Sequence, residues 1–271
     1  MNAFTVDVED WFCASNLDEA FPRQDWPRLE GRVEANTCRL LALLQKRGAL
    51  ATFFVLGWVA ERYPSLIREI LASGHEIASH GYSHRKADVL TREAFESDIR
   101  RSLDILESIA SAKVIGYRAP SFCLTPAHEE IFDALLKNGI KYDSSLYPQS
   151  LNPSYGRFNG PDGVFTMKNG LIEVGLNSFK VARFRIPFSG GAYFRIYPYA
   201  LTKACIAAIH KKGIPYVFYV HPWEIDPGQP AVRLPRLKRF RHYHHLAGNE
   251  AKVERLLSDF EFTSVRDILG L

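Results

Sequence analysis

An α/β fold with a mostly parallel sheet or barrel is what this sequence of 271 residues predicts, and three observations predict it. Short apolar, β-rich runs alternate with segments of helical apolar spacing. A glycine follows one helical segment after another. A composition of 46% hydrophobic and 24% charged residues supplies the core and surface of a soluble globular chain and excludes a disordered one.

The elements follow in order. Ala3 to Val8 reads as the first strand and Arg32 to Arg47 as a helix closed by Gly48. Ala51 to Leu56 is a second, buried strand, Pro64 to Ser73 a helix ending at Gly74, and Glu76 to Ser79 a short third strand. Thr91 caps a long amphipathic helix to Ala110. A strand over Val114 to Tyr117, a helix from Pro126 to Asn138 stopped by Gly139 and a strand over Lys141 to Asp143 follow. From 147 to 193 the rhythm breaks into Pro-, Gly- and Asn-containing pieces with extended runs at Ile172 to Val174 and Arg183 to Ile186, an irregular insertion. Helix Pro198 to Lys212 and strand Tyr216 to Val220 restore it, and Glu250 to Asp259 with Ser264 to Leu269 form a helical C-terminal extension. With no repeat or linker, residues 1–271 read as a single domain.

Lys and Arg number 34 against 30 Asp and Glu, a dispersed excess of +4 that does not suit a nucleic-acid binder. Cys13, Cys38, Cys123 and Cys205 are far apart, which fits reduced thiols rather than a zinc ribbon or disulfide scaffold. Acids at Asp7, Glu9 and Asp10 interrupt any signal-peptide pattern, and no apolar run approaches the roughly 20 residues of a membrane span. The expectation is a cytoplasmic protein without a transmembrane segment.

The polar residues that could do chemistry stand at strand ends, where an α/β barrel builds its active site. Strand alternation puts Asp7 and Glu9 on one face, so two carboxylates could divide the work of base and metal ligand. Taken alone, three acids there read as a solvated turn. His80 and His84 follow the third strand at a spacing suited to one divalent ion, with imidazole favouring Zn, Co, Ni or Fe. Arg118 follows the next strand and His221 the last well-formed one. Either alone reads as a surface ion pair, but their recurrence at one end suggests an Arg holding a carboxylate ionised and a His donating a proton. Phe53, Phe54 and Trp58 sit in apolar runs and read as core, whereas Trp223 beside His221 could stack on a sugar ring. The basic segment 233–245, RLPRLKRFRHYHH, reads by default as a solvated face and otherwise as a holder of a phosphate-bearing or acidic glycan.

TVDVED, TFFVLGWVAERYP, SHGYSH, GYRAPS, YDSS and FYVHPWEIDP, in this order from about Phe4 to Pro227, resemble the polysaccharide deacetylases with a NodB homology domain, carbohydrate esterase family 4. The likeness, including RFRHY in the tail, is greatest to the branch found beside exosortase and exopolysaccharide gene clusters. The resemblance implies a distorted (β/α) barrel with fewer than eight regular repeats. It also implies a metal-dependent hydrolase that removes acetyl groups from N-acetylated sugars of a polysaccharide or its precursor. By position Asp7 matches the catalytic base, Arg118 its partner, His80 and His84 metal ligands, and His221 the general acid. The third ligand is an acid near the base, Glu9 or alternatively Asp10, because Val8 interrupts the consecutive Asp pair of many members. Gly81 stands where the family usually has Ser or Thr, with Ser79 or Ser83 as replacement; Ser121 replaces a usual Tyr, its N–H the oxyanion donor. Asp143 is the nearest counterpart of the Asp that supports the catalytic His. Hydrolysis of another C–N bond, and metal or glycan binding without turnover, are the competing readings. Asp7, Arg118 and His221 together speak against the latter, because binding alone needs no such acid–base set.

Overall fold

The computed structural model describes residues 1–149, 155–156 and 158–271. Its strands and helices alternate as β1 (Asn2–Val8), α1 (Val33–Arg47), β2 (Thr52–Val55), α2 (Gly57–Arg62), α3 (Pro64–Ala72), β3 (Glu76–Ser79), α4 (Arg92–Ala110), β4 (Gly116–Tyr117), α5 (Glu129–Lys137) and β5 (Tyr142–Asp143). Then come β6 (Gly163–Thr166), β7 (Ile172–Gly175), β8 (Ser178–Val181), β9 (Phe184–Pro187), α6 (Gly191–Ile196), α7 (Tyr199–His210) and β10 (Val217–Val220). The chain ends with α8 (Arg236–Tyr243), α9 (Leu246–Asp259), β11 (Phe262–Thr263) and α10 (Val265–Leu269).

The main sheet has the order β10-β1-β2-β3-β4-β5-β7-β6, parallel throughout except for β6, and β11 pairs with the start of β1. Every residue of β1, β2, β3 and β10 is buried, as the interior of a helix-covered parallel sheet requires. The sheet curls as a distorted (β/α) barrel. Across its gap Asn177 accepts the Val217 N–H at 2.7 Å, and Gly190 lies against Tyr219 so closely that a Cβ would stand 1.9 Å from the Tyr219 carbonyl oxygen. Phe53 and Phe54 are fully buried, and Trp58 packs edge-on against Trp26 and Phe12, as the apolar runs predict.

The stretch 147–193 is less irregular than its composition predicts: β6 and β7 extend the main sheet and β8–β9 form a separate antiparallel hairpin. Residues 150–154 and 157 of that stretch lie outside the described residues. Helix α6 hides behind Gly190 and Gly191, read as breakers, and α9 begins at Leu246 rather than Glu250 because Gly248 masks its first turn. Among the described residues no helix is long and apolar enough to cross a membrane.

Asp10 is turned into the fold. Its carboxylate accepts the N–H groups of Trp11 (2.9 Å), Arg32 (2.9 Å) and Val33 (3.2 Å), so it caps the start of α1 across 22 residues of chain. The alternative in which Asp10 holds a metal is thereby corrected: the chain bends after Val8, and the carboxylate is used on buried backbone donors. Asp10→Ala leaves those donors unsatisfied, at about 1–3 kcal/mol for the first. It should lower Tm clearly while leaving metal affinity near wild type, checked by thermal unfolding beside a metal titration.

Candidate active site

The C-terminal ends of the central strands bring six predicted residues together. Asp7 lies on β1, which pairs with both β2 and β10; Glu9 follows the same strand, His80 and His84 follow β3, Arg118 follows β4 and His221 follows β10. All but His221 are buried, and 16% of the His221 side chain is exposed, so it is the group that meets solvent. They line or back a cleft of about 190 Å³ whose wall also includes Ser121, Trp223, Glu224, Lys238 and Arg241.

Arg118 donates to Asp7 Oδ1 at 2.6 Å and to Thr5 Oγ1 at 2.8 Å, with its ring-side face over Phe54 at 4.0 Å. Its other donors go to the carbonyl (3.1 Å) and hydroxyl (2.9 Å) of Ser144, and Ser145 Oγ accepts the Ala119 N–H. The YDSS segment is therefore the cradle of Arg118. Asp143 accepts from Ser145 Oγ at 2.6 Å and pairs in register with Glu173, so its contacts are with these residues and not with His221.

The residue in that place is Glu224, whose Oε2 accepts from His221 Nδ1 at 2.9 Å and from the His221 backbone N–H at 3.1 Å. Arg195 Nε donates to Glu224 Oε1 at 2.8 Å. Burial would raise the Glu224 carboxyl, but Arg195 and His221 outweigh it and hold it at about 2. For His221 burial acts downward, yet the carboxylates of Glu9, Glu224 and Asp7 raise it to about 9. At neutral pH the ring is an imidazolium, with Nε2 3.8 Å from Asp7 Oδ2 and from Glu9 Oε1. Glu224 stands in the quoted HPWE run, and an acid three residues after a His at a tight turn is the signal available; Arg195, between the irregular stretch and the helix expected from Pro198, carries none.

Glu9, His80 and His84 form a buried group whose ligand atoms lie within 4.8 Å of one another. His80 Nδ1 donates to the Arg118 carbonyl at 2.8 Å, which aims Nε2 at Glu9 Oε1 at 3.0 Å, and His84 Nε2 lies at the same distance from that oxygen. Two imidazoles with one carboxylate are the donor set of a hydrolytic divalent ion. The residues fit the ion.

The loop carrying His84 is built to hold it. His84 is in the left-handed region at φ 52°, and Arg23 donates to the Ser83 and His84 carbonyls at 2.5 and 2.7 Å. Gly81, at φ 72°, lies so close to Asp98 that a Cβ would be 2.9 Å from its carboxylate, which is why no Ser or Thr stands there. Ser79 Oγ accepts the Gly81 N–H and Ser83 Oγ donates to Asp98, so both hydroxyls share the task. Ser121 and Phe122 are also left-handed, at φ 60° and 48°, where the Ser121 loop reaches the cleft and meets Ser15.

Trp223 does not offer a face to sugar. It is sandwiched between His221 (5.1 Å) and His242 (4.6 Å), both nearly parallel to it, so the expected stacking platform is an internal spacer. His242 belongs to α8 and is the one buried residue of that helix; Arg233, Arg236 and Arg239 are exposed, so most of the basic segment is the expected solvated face, with Lys238 and Arg241 turned to the cleft.

Residues 25–142 match the family described as polysaccharide deacetylase, and residues 144–270 a domain of unknown function, DUF3473. A peptidoglycan deacetylase of Helicobacter pylori is 32% identical over 124 residues, 46% of this chain and 41% of its own length. A peptidoglycan-N-acetylglucosamine deacetylase of Bacillus cereus is 34% identical over 101 residues, 37% of this chain and 34% of its own. The chain thus spans less than half the length of these curated relatives. A solved structure described as a polysaccharide deacetylase from Mycobacterium smegmatis shares the fold, with a TM-score of 0.61 over 98% of this chain and 87% of that one at 22% identity. His80, His84 and Arg118 fall in the first matched segment, Arg195, His221 and Glu224 in the second, and Asp7 and Glu9 precede both.

Proposed function

We propose, for a chain that carries a polysaccharide deacetylase domain, that it is a metal-dependent hydrolase removing N-acetyl groups from the amino sugars of a glycan and releasing acetate. One observation carries the reading: a carboxylate held by a buried arginine, a Glu-His-His group and an imidazole share one cleft, with His221 Nε2 3.8 Å from both carboxylates. The whole chain acts as one unit in this reading, because residues from both matched segments enter the site.

Glu9, His80 and His84 would hold the divalent ion, zinc before cobalt, nickel or iron on this donor set. When bound, such an ion polarises a carbonyl and makes water more acidic. Asp7 Oδ2, left free by the Arg118 contact to Oδ1, takes the proton of the attacking water. Arg118 fixes that carboxylate with a charge-assisted hydrogen bond to Oδ1. The Ser121 N–H, on its left-handed turn, donates to the developing oxyanion. His221 Nε2 gives a proton to the departing amine, while Glu224 and Arg195 fix the ring through Nδ1.

Acetate release from N-acetylglucosamine oligomers, lipid-linked sugars and exopolysaccharide is the test, run before and after chelation. Activity should vanish in metal-free protein and return with added zinc or cobalt; a full rate in protein shown to be metal-free would refute the reading. The pH profile adds a check on the acid. The rate should fall as pH rises through the His221 pKa, at or below 9 because a cation at Glu9 offsets part of its charge. Glu224→Gln removes one of the raising carboxylates, so the alkaline limb should move to lower pH by about one unit or more. An unmoved limb would show that Glu224 does not govern the acid.

A further inference from the structure

We propose that Arg241 and Lys238, on the cleft side of α8, form a subsite for an anionic group of the glycan, a phosphate or a carboxylate next to the acetamido sugar. This names the substrate class of the deacetylase reading and rests on it.

Residues 227–249 contain five Lys and Arg and no Asp or Glu; of the five, Lys238 and Arg241 line the cleft, while Arg233, Arg236 and Arg239 are exposed. His242 anchors α8 by stacking on Trp223 at 4.6 Å and pairing its Nε2 with Gln229 Oε1 at 3.0 Å. Arg195 Nη2 donates to the Arg241 carbonyl at 2.8 Å, so a chain of contacts runs from His221 through Glu224 and Arg195 to the Arg241 backbone. His221 and Arg241 line one cleft, so a glycan with its leaving nitrogen at His221 has Arg241 on the same wall.

The acids of the cleft have answers. Asp7 is met by Arg118, Glu224 by Arg195 and Asp18 by Arg23 at 3.9 Å, and Glu9 belongs to the group that would hold the ion. Among the described residues the ion pair of Lys238 is with the exposed Glu19, at 3.8 Å. Arg241 is half-buried, lines the cleft and makes no ion pair among the described residues; those outside that set include no Asp or Glu. A guanidinium taken partly out of water without a carboxylate is poised for a ligand anion, which its planar fork can bind through two hydrogen bonds.

The test is calorimetric titration of the metal-loaded protein with N-acetylglucosamine, N-acetylglucosamine 1-phosphate and an N-acetylglucosamine–glucuronate disaccharide. At least one anionic ligand should bind about tenfold tighter than the neutral sugar, as a hydrogen-bonded ion pair would give, with a preference that shrinks in high salt. Which of the two wins distinguishes phosphate from carboxylate. Arg241→Gln should abolish most of the preference and Arg241→Lys should keep part of it, since the backbone carbonyl that holds Arg195 is unchanged. Equal affinities in the wild type would overturn the subsite. So would a preference that survives Arg241→Gln combined with Lys238→Gln, because the anion would then sit on the metal. These readings need no turnover, so absence of acetate release would remove the reaction and leave the subsite standing.

Discussion

Asp7→Asn should lower kcat by about 10²–10⁴-fold, the contribution of a positioned general base, while the folded protein still binds its divalent ion. The amide keeps the shape of the carboxylate and can still accept the Arg118 hydrogen bond now seen at 2.6 Å, but it cannot take a proton from water. Because Arg118 is fully buried, loss of the opposing charge also destabilises the fold, and breaking such a pair outright costs about 3–5 kcal/mol. Turnover is therefore to be measured well below the Tm of the variant, with metal content determined on the same sample. Full turnover would remove Asp7 from the reaction. Loss of metal from a folded Asp7→Asn protein would make Asp7 a ligand, with Glu9 the base.

Much of the site was legible because it obeys local rules. A strand puts alternate side chains on one face, so Asp7 and Glu9 could be paired from their spacing, and buried parallel strands announce themselves as apolar runs. Asp10 shows the limit: the same alternation left it open as a ligand, and what decides its role is a set of backbone donors 22 residues downstream. The support of His221 shows the opposite case. Glu224 is local, three residues on, while Asp143 was favoured by the YDSS likeness although its contacts serve Arg118 through Ser144 and Ser145. Trp223 departs from its expected role for a physical reason too, since a ring beside a cleft histidine can be sandwiched as easily as exposed. The partner that covers it, His242, comes from a helix so rich in charge that no apolar period reveals it.

Glu9→Ala should weaken metal binding by more than the roughly 10–100-fold that loss of an outer-shell partner costs, because it removes a ligand itself. Glu9 is the only anion of the Glu-His-His group, and its Oε1 meets both imidazole Nε2 atoms at 3.0 Å. With alanine there, two neutral nitrogens remain for a dication, and the compensating negative charge is gone. The change also removes one carboxylate that raises His221, so the variant should combine low metal occupancy with an alkaline limb shifted to lower pH in whatever activity excess metal restores. Asp10→Ala is the matched control: its carboxylate faces the start of α1, so it should lose stability and keep affinity. Calorimetric metal titration of both folded variants decides between them. Near-wild-type affinity in Glu9→Ala with loss in Asp10→Ala would mean that the ion draws Asp10 off its backbone donors, and equal losses would mean that the capping of α1 and the binding of metal are one coupled event.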